Sequence, residues 1–183
     1  SDPTLSTRVA AVARFVRDPF ELLDVIVDAD LRDQARALVV SHERVRRYLN
    51  AWGTHEICPY GSGVTFLFSG PSGTGKTLFA RGLATHMDAA LLAVSCADLP
   101  DEGTESVLRD VFAEARMRQA VVLFDECEAL FGATSKKKSA GLNALDYYAD
   151  GAVVLVSNHP EQLTPALERR ILLHVPFERP TAA

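Results

Sequence analysis

Gly70-Pro71-Ser72-Gly73-Thr74-Gly75-Lys76-Thr77 fits the template G-x-x-x-x-G-K-[ST] at every fixed position. The flanks carry as much weight as the motif. Before it runs Val64-Thr65-Phe66-Leu67-Phe68-Ser69, an apolar, β-rich stretch that reads as a buried strand. After it, Leu78, Phe79 and Leu83 recur at helical spacing. Strand, glycine loop and helix together make a phosphate cradle. Glycines let the backbone curl so that successive N–H groups point inward, and the helix start adds its partial positive charge. In that arrangement Lys76 reaches the β- and γ-phosphates of a nucleotide, and the Thr77 hydroxyl holds Mg²⁺.

Working outward, the segment Ala120-Val121-Val122-Leu123-Phe124-Asp125-Glu126 reads as a buried strand that delivers two carboxylates at its C-terminal end. That edge is where ligands sit in open parallel sheets. Asp125 is the candidate for the Mg²⁺ shell, and Glu126 the candidate general base on an attacking water. Gly151 to Asn158 is a further apolar strand. Its terminal Asn158 places an amide beside the γ-phosphate if this strand neighbours Val64–Ser69; a turn role before His159-Pro160 is the alternative.

The remaining chain supplies the frame. Residues 4–17 read as an amphipathic helix with Leu5, Val9, Val12 and Val16 on one face, ended by Asp18-Pro19. Phe20 to Val27 is a helix or strand at the core edge, and Asp30 to Trp52 a long helix stopped by Gly53. Its arginines read as a solvated face. Thr54 to Gly63 is a loop. Ala89 to Ser95 is a second buried strand, and Thr104 to Arg118 an amphipathic helix facing inward through Val107, Leu108, Val111, Phe112 and Ala115. Cys127 starts a helix as a small packing residue. Ala133 to Ser139, with Lys136-Lys137-Lys138, reads as a mobile surface loop. Thr164-Pro165 signals a helix start, Arg169-Arg170 its end, and Ile171 to Phe177 a last strand.

Composition sets the bounds. The sequence holds 183 residues, 48% hydrophobic and 23% charged, enough for one α/β domain with a sizeable core. A net charge of -5 argues against a dominant nucleic-acid surface. Three cysteines without a C-x-x-C pair indicate neither a disulfide framework nor a zinc site, and point to a reducing cytoplasm. No apolar run approaches a membrane span, and the first residues lack the apolar core of a signal peptide. Ser1-Asp2-Pro3 begins without Met, as an excised piece or a tag remnant would.

In order and spacing these motifs resemble the AAA+ branch of P-loop ATPases over about residues 20–180. Gly70 to Thr77 matches Walker A, Asp125-Glu126 Walker B, and Asn158 sensor 1. Thr164-Pro165-Ala166-Leu167-Glu168-Arg169-Arg170 resembles the second region of homology, whose arginines reach the γ-phosphate held by a neighbouring subunit. The lead-in Gly63-Val64-Thr65-Phe66-Leu67-Phe68-Ser69-Gly70 and the run Leu123 to Gly132 are most similar to bacterial members of the classical AAA clade. The resemblance implies a three-layer αβα P-loop NTPase fold. Counting strands from Val64, its sheet has five parallel strands in the order 5-1-4-3-2. Residues 1–19 would form an N-terminal helical extension and residues 20–183 the large nucleotide-binding subdomain, the sequence ending before the family's helical lid.

The resemblance further implies ATP or ADP held by Gly70, Pro71, Ser72, Gly73, Thr74, Gly75, Lys76, Thr77 and Leu78, with Val25 and Ile26 near adenine. Lys76, Glu126, Asn158, Arg169 and Arg170 would be catalytic, and Thr77 and Asp125 would hold Mg²⁺. The implied activity is ATP hydrolysis in a ring, a hexamer in this family, that remodels a protein partner. The family's threading members carry an aromatic residue in a pore loop, which falls near Leu99-Pro100-Asp101, where none is present. A nucleotide-dependent scaffold with little hydrolysis therefore stays open, as does a DNA-associated loader, which the acidic charge disfavours.

Overall fold

In the computed structural model the described residues are 5–16 and 63–178, together with residues 33 and 37, both helical. The expectations for Phe20–Val27, for the rest of the Asp30–Trp52 helix and for the loop before Gly63 lie outside them, as do Val25 and Ile26.

A single sheet forms the middle layer. Its strands are β1 (Ala13–Val16), β2 (Val64–Ser69), β3 (Leu91–Ser95), β4 (Val121–Asp125), β5 (Ala152–Ser157) and β6 (Ile171–Pro176). They pair in the order β1-β3-β4-β5-β2-β6. All pairings are parallel except β1 with β3, which is antiparallel. The expected five-stranded, all-parallel sheet is thus corrected to a six-stranded mixed one. Inside the added strand, the parallel strands run β6-β2-β5-β4-β3.

That added strand comes from residues expected to be helical. Helix α1 covers only Thr7–Ala10, and the chain then extends as β1. Val9, Val12 and Val16 satisfy helical spacing, but a short helix has little stability of its own. The open edge of β3 offers a row of backbone groups that need partners. Pairing Ala13 with Val94 through Val16 with Leu91 satisfies them, and the Ser95 amide donates to the Val12 carbonyl at 3.0 Å.

Helices α2 (Lys76–His86), α3 (Thr104–Met117), α4 (Glu128–Phe131), α5 (Lys138–Tyr147) and α6 (Pro165–Glu168) complete the described elements, with short 3-10 turns at Cys96–Asp98 and Pro160–Gln162. Every residue of β2 and of β5 is buried, which is why those strands read as unbroken apolar runs. Alternation along them splits the core in two. Phe66, Phe68, Leu123, Val154 and Val156 pack with Phe79 and Leu83 of α2. Leu67, Phe124, Val153 and Leu155 pack with Val107, Leu108, Val111 and Phe112 of α3 and with Leu130 and Phe131 of α4. The α3 face is the one its sequence spacing predicts.

The core also braces the glycine loop. Phe68, Phe79 and Phe177 form a triangle of rings, 5.2 Å between Phe68 and Phe79 and 5.7 Å on each of the other sides. They lie just before the loop, in the helix after it and at the end of β6. Edge-on aromatic pairs of this kind favour one packing over others, so the loop hangs from a rigid mount.

Candidate active site

Strand register brings the candidate residues to one edge of the sheet. Ser69 pairs with Ser157, Ser95 with Asp125 and Phe124 with Leu155, so β2, β5, β4 and β3 end within one residue of one another. The neighbour condition for Asn158 is therefore met: β5 lies directly beside β2. The Gly70 amide donates to the Ser157 carbonyl at 3.1 Å, which ties the start of the glycine loop to the residue before Asn158. Asn158 itself is half-buried.

The loop follows the expected physical logic. Gly70, Gly73 and Gly75 have φ of 139°, 80° and 89°, values that an L side chain resists. At Gly70 the need is also spatial, because a Cβ there would sit 2.1 Å from the Phe177 carbonyl oxygen. Pro71, Ser72, Gly73, Thr77 and Leu78 are exposed and Thr74 and Gly75 half-buried, whereas Lys76 is only 5% exposed. The Lys76 ammonium folds back over the loop and donates to the carbonyls of Gly70 and Pro71, both at 2.7 Å. Thr74 Oγ1 donates to the Pro71 carbonyl at 2.8 Å and closes the turn. Burial lowers the Lys76 pKa from the usual lysine value, opposed by attraction from Asp125 and Glu128.

Asp125 ends β4, and its Oδ1 accepts the Glu126 amide at 2.9 Å. Glu126 has φ 50°, a left-handed conformation in a non-glycine residue. It turns the chain out of the strand and leaves the Glu126 side chain exposed while the next residue, Cys127, is fully buried. The Cys127 amide donates to the Val156 carbonyl at 2.9 Å, locking this turn to β5. Burial raises the Cys127 thiol pKa far above its ordinary value, as expected of an inert packing residue rather than a nucleophile.

The arginine pair is split. Arg170 Nε and Nη2 donate to the two oxygens of Asp146 at 2.7 and 2.5 Å, and Nη1 donates to the Ala166 carbonyl at 2.6 Å. Arg169 is exposed beside it. Pro165 opens α6 as expected, but Thr164 holds the cap position without a side-chain capping bond.

Sequence reasoning missed three contributors. Glu128, at the start of α4, keeps a buried Oε2 that has no hydrogen-bond partner among the described residues, and its charge opposes the lowering of the Lys76 pKa; a third acid three residues after Asp125 was the available signal. His174 Nε2 lies 2.6 Å from Ser69 Oγ, next to the loop, which only strand register reveals. Lys137, expected on a surface loop, is 9% exposed. Its ammonium donates to the carbonyls of Leu99 at 2.9 Å and Cys96 at 3.3 Å.

The oxygen donors Thr77 Oγ and Asp125 suit a hard divalent cation such as Mg²⁺. Among the described residues no group of three or more His, Cys, Asp or Glu could hold a metal ion. Mg²⁺ tolerates such a sparse protein shell, since it keeps waters and takes phosphate oxygens as ligands. No described helix is long and apolar enough to cross a membrane.

Comparison with known proteins agrees with this geometry. The family model of AAA, described as the ATPase family associated with various cellular activities, matches residues 66–179. The 26S proteasome regulatory subunit 7 of Dictyostelium discoideum is 36% identical, the match covering 56% of this chain and 28% of that protein. The ATP-dependent zinc metalloprotease FtsH 2 of Conexibacter woesei is also 36% identical, over 56% of this chain and 18% of its own length. This chain spans less than a third of either relative. Among solved structures, a katanin described for its self-assembly aligns with TM-score 0.69 and 23% identity over 97% of this chain and 61% of its own. The AAA domain of FIGL-1 in complex with ADP aligns with TM-score 0.66 and 18% identity over 97% and 63%. Those two likenesses establish the α/β P-loop fold. With more than half its length matched by the family model and the motif residues gathered at one sheet edge, the chain belongs to the AAA family of ATPases.

Proposed function

We propose that this chain binds Mg-ATP along Gly70–Leu78 and hydrolyses it within an oligomeric ring, a hexamer by family resemblance, to remodel a protein partner. The observation that supports the reading is the alignment of β2, β5 and β4, which brings the glycine loop after β2, Asp125-Glu126 after β4 and Asn158 after β5 to the same edge of the sheet. In this reading phosphate oxygens replace the Gly70 and Pro71 carbonyls as partners of the Lys76 ammonium. The inward N–H groups of the loop and the start of α2 share the remaining charge. Thr77 and Asp125 would hold Mg²⁺, which would supply positive charge against the phosphates. Glu126, turned out by its left-handed backbone, takes a proton from the attacking water, and Asn158 orients that water.

Arg170 is already committed to Asp146 within its own chain, so we assign the arginine that completes a neighbour's site to exposed Arg169. The ATP-dependent relative FtsH 2 supports ATP as the substrate. The buried free thiols of Cys96 and Cys127 suit a reducing, cytoplasmic setting.

The test is turnover per protomer against protein concentration for the full chain and for Arg169→Ala. The reading expects specific activity to rise with concentration and to fall about 10³-fold in Arg169→Ala. Mixing Arg169→Ala with Glu126→Gln subunits restores activity, because one supplies an intact base and the other an intact arginine. Turnover that is independent of concentration, with Arg169→Ala unaffected, overturns the ring. Tight binding without turnover at any concentration supports the nucleotide-dependent scaffold.

A further inference from the structure

The lysine run Lys136-Lys137-Lys138 contains one residue that does not behave as surface charge. Lys137 is 9% exposed, and among the described residues its ammonium is held by two backbone carbonyls, those of Cys96 and Leu99, some forty residues earlier in the chain. Neither partner carries charge. A methionine of similar length would fill the same space but leave both carbonyls without that donor, so filling volume does not account for a lysine here. Its position does. The carbonyls it binds lie in the 3-10 turn Cys96–Asp98 and at Leu99, directly after β3, whose last residue pairs with Asp125. Lys137 itself ends the segment that follows Asp125-Glu126 through α4, and that segment is pinned in turn by Ser135 Oγ donating to the Ala129 carbonyl at 2.8 Å.

Beyond the turn, Pro100, Asp101, Glu102 and Gly103 are exposed, while Leu99 is buried and the Thr104 hydroxyl closes the loop onto the Pro100 carbonyl. The loop is thus free at its tip and fixed at its base, and Lys137 is the bridge from that base to the chain that carries the candidate base and metal ligand. We infer that Lys137 is a positioning residue: it latches the loop 97–103 to the segment following Asp125-Glu126, so that the exposed tip and the catalytic edge move as one body.

The test compares the full chain with Lys137→Met and, as control, exposed Lys136→Met. Hydrogen exchange is read over peptides spanning 96–104, with β2 and β4 as internal references. The latch predicts exchange about ten-fold faster in 96–104 of Lys137→Met, no change in β2 or β4, and no change anywhere in Lys136→Met. Because Lys137 does not touch the glycine loop, it also predicts a kcat lowered about five-fold or more with KM for ATP unchanged. Unchanged exchange in 96–104 overturns the latch. So does a uniform rise across the sheet with kcat intact below the melting temperature, which marks a merely structural lysine.

Should Lys137→Met not fold, the unmodified chain still decides. Amine acylation at Lys137 must run at least about ten-fold slower than at Lys136, and equal rates refute the burial on which the latch rests. The kinetic arm depends on the ATPase reading, whereas exchange and acylation do not. A chain without turnover but with the exchange pattern intact therefore fails the former and keeps the latch.

Discussion

Replacing Gly70 with alanine tests the mounting of the glycine loop without any nucleotide present. A Cβ at this position meets the Phe177 carbonyl oxygen at 2.1 Å, and the backbone sits at φ 139°. Three terms follow. Holding a non-glycine residue in a sparsely populated conformation costs about 1–3 kcal/mol. Moving the Phe177 carbonyl away by more than an ångström endangers the 2.7 Å bond from the Phe177 amide to the Ser69 carbonyl, a loss of about 0.5–1.5 kcal/mol. The same shift repacks the Phe177 ring against Phe68 and Phe79, about 1–3 kcal/mol for a well-filled core. Together these amount to roughly 2.5–7.5 kcal/mol, a large share of the 5–15 kcal/mol typical of a domain.

Gly73→Ala is the matched comparison. Its φ of 80° is also left-handed, but a Cβ there meets nothing within 4 Å, so only a backbone term of about 1 kcal/mol applies. Urea unfolding followed by far-UV circular dichroism separates the two. At a slope of about 2 kcal/mol/M, Gly70→Ala should lower the midpoint by about 0.7 M or more relative to Gly73→Ala. Two variants within about 1 kcal/mol of each other would refute the claim that Phe177 braces the loop.

Other expectations follow from the same structure. Gln119 and Asp88 occupy left-handed positions, φ 51° and 53°, just after α3 and α2; Gln119→Gly should stabilise by about 0.5 kcal/mol and Asp88→Gly by less, since aspartate tolerates that region better, as read by thermal melts. Arg170→Ala should cost about 1 kcal/mol after solvent screening of the partly exposed Asp146 pair, lowering Tm by 2–4 °C in scanning calorimetry, whereas Arg169→Ala should leave Tm unchanged. The His174 side chain is exposed, yet the part of its ring covered beside Ser69 is desolvated enough to lower its pKa below the ordinary 6.5, so folding modestly favours the neutral ring. Its contribution is therefore complete above the unfolded pKa and is lost as pH falls through the lower folded value, and His174→Gln should flatten the acid side of the stability profile measured by urea titration.

What the sequence disclosed, and what it hid, divides along physical lines. The glycine loop, the acidic strand end and the strand ending in Asn158 were legible because each couples a local pattern to a chemical need: positive φ for phosphate approach, apolar strand burial, and carboxylates delivered at a strand terminus. β1 was not legible, since Val9, Val12 and Val16 fit a helix face equally well and only the open edge of β3, far along the chain, selects the strand. Lys137 was hidden for the same kind of reason. A run of lysines reads as solvated charge, and its carbonyl partners at Cys96 and Leu99 are supplied by tertiary packing. The Arg170–Asp146 pair likewise depends on how α5 and α6 meet, so sequence left both arginines as equal candidates.

The central claim, that the edge formed by β2, β4 and β5 hydrolyses ATP with Glu126 as base, is tested most directly by measuring Mg-ATP affinity and single-turnover hydrolysis in the full chain and in Glu126→Gln. The account predicts near-equal affinity, because Lys76 and the glycine loop are untouched, with hydrolysis lost by about 10²–10⁴-fold. Glu126→Gln turning over ATP at the rate of the unaltered chain would contradict it.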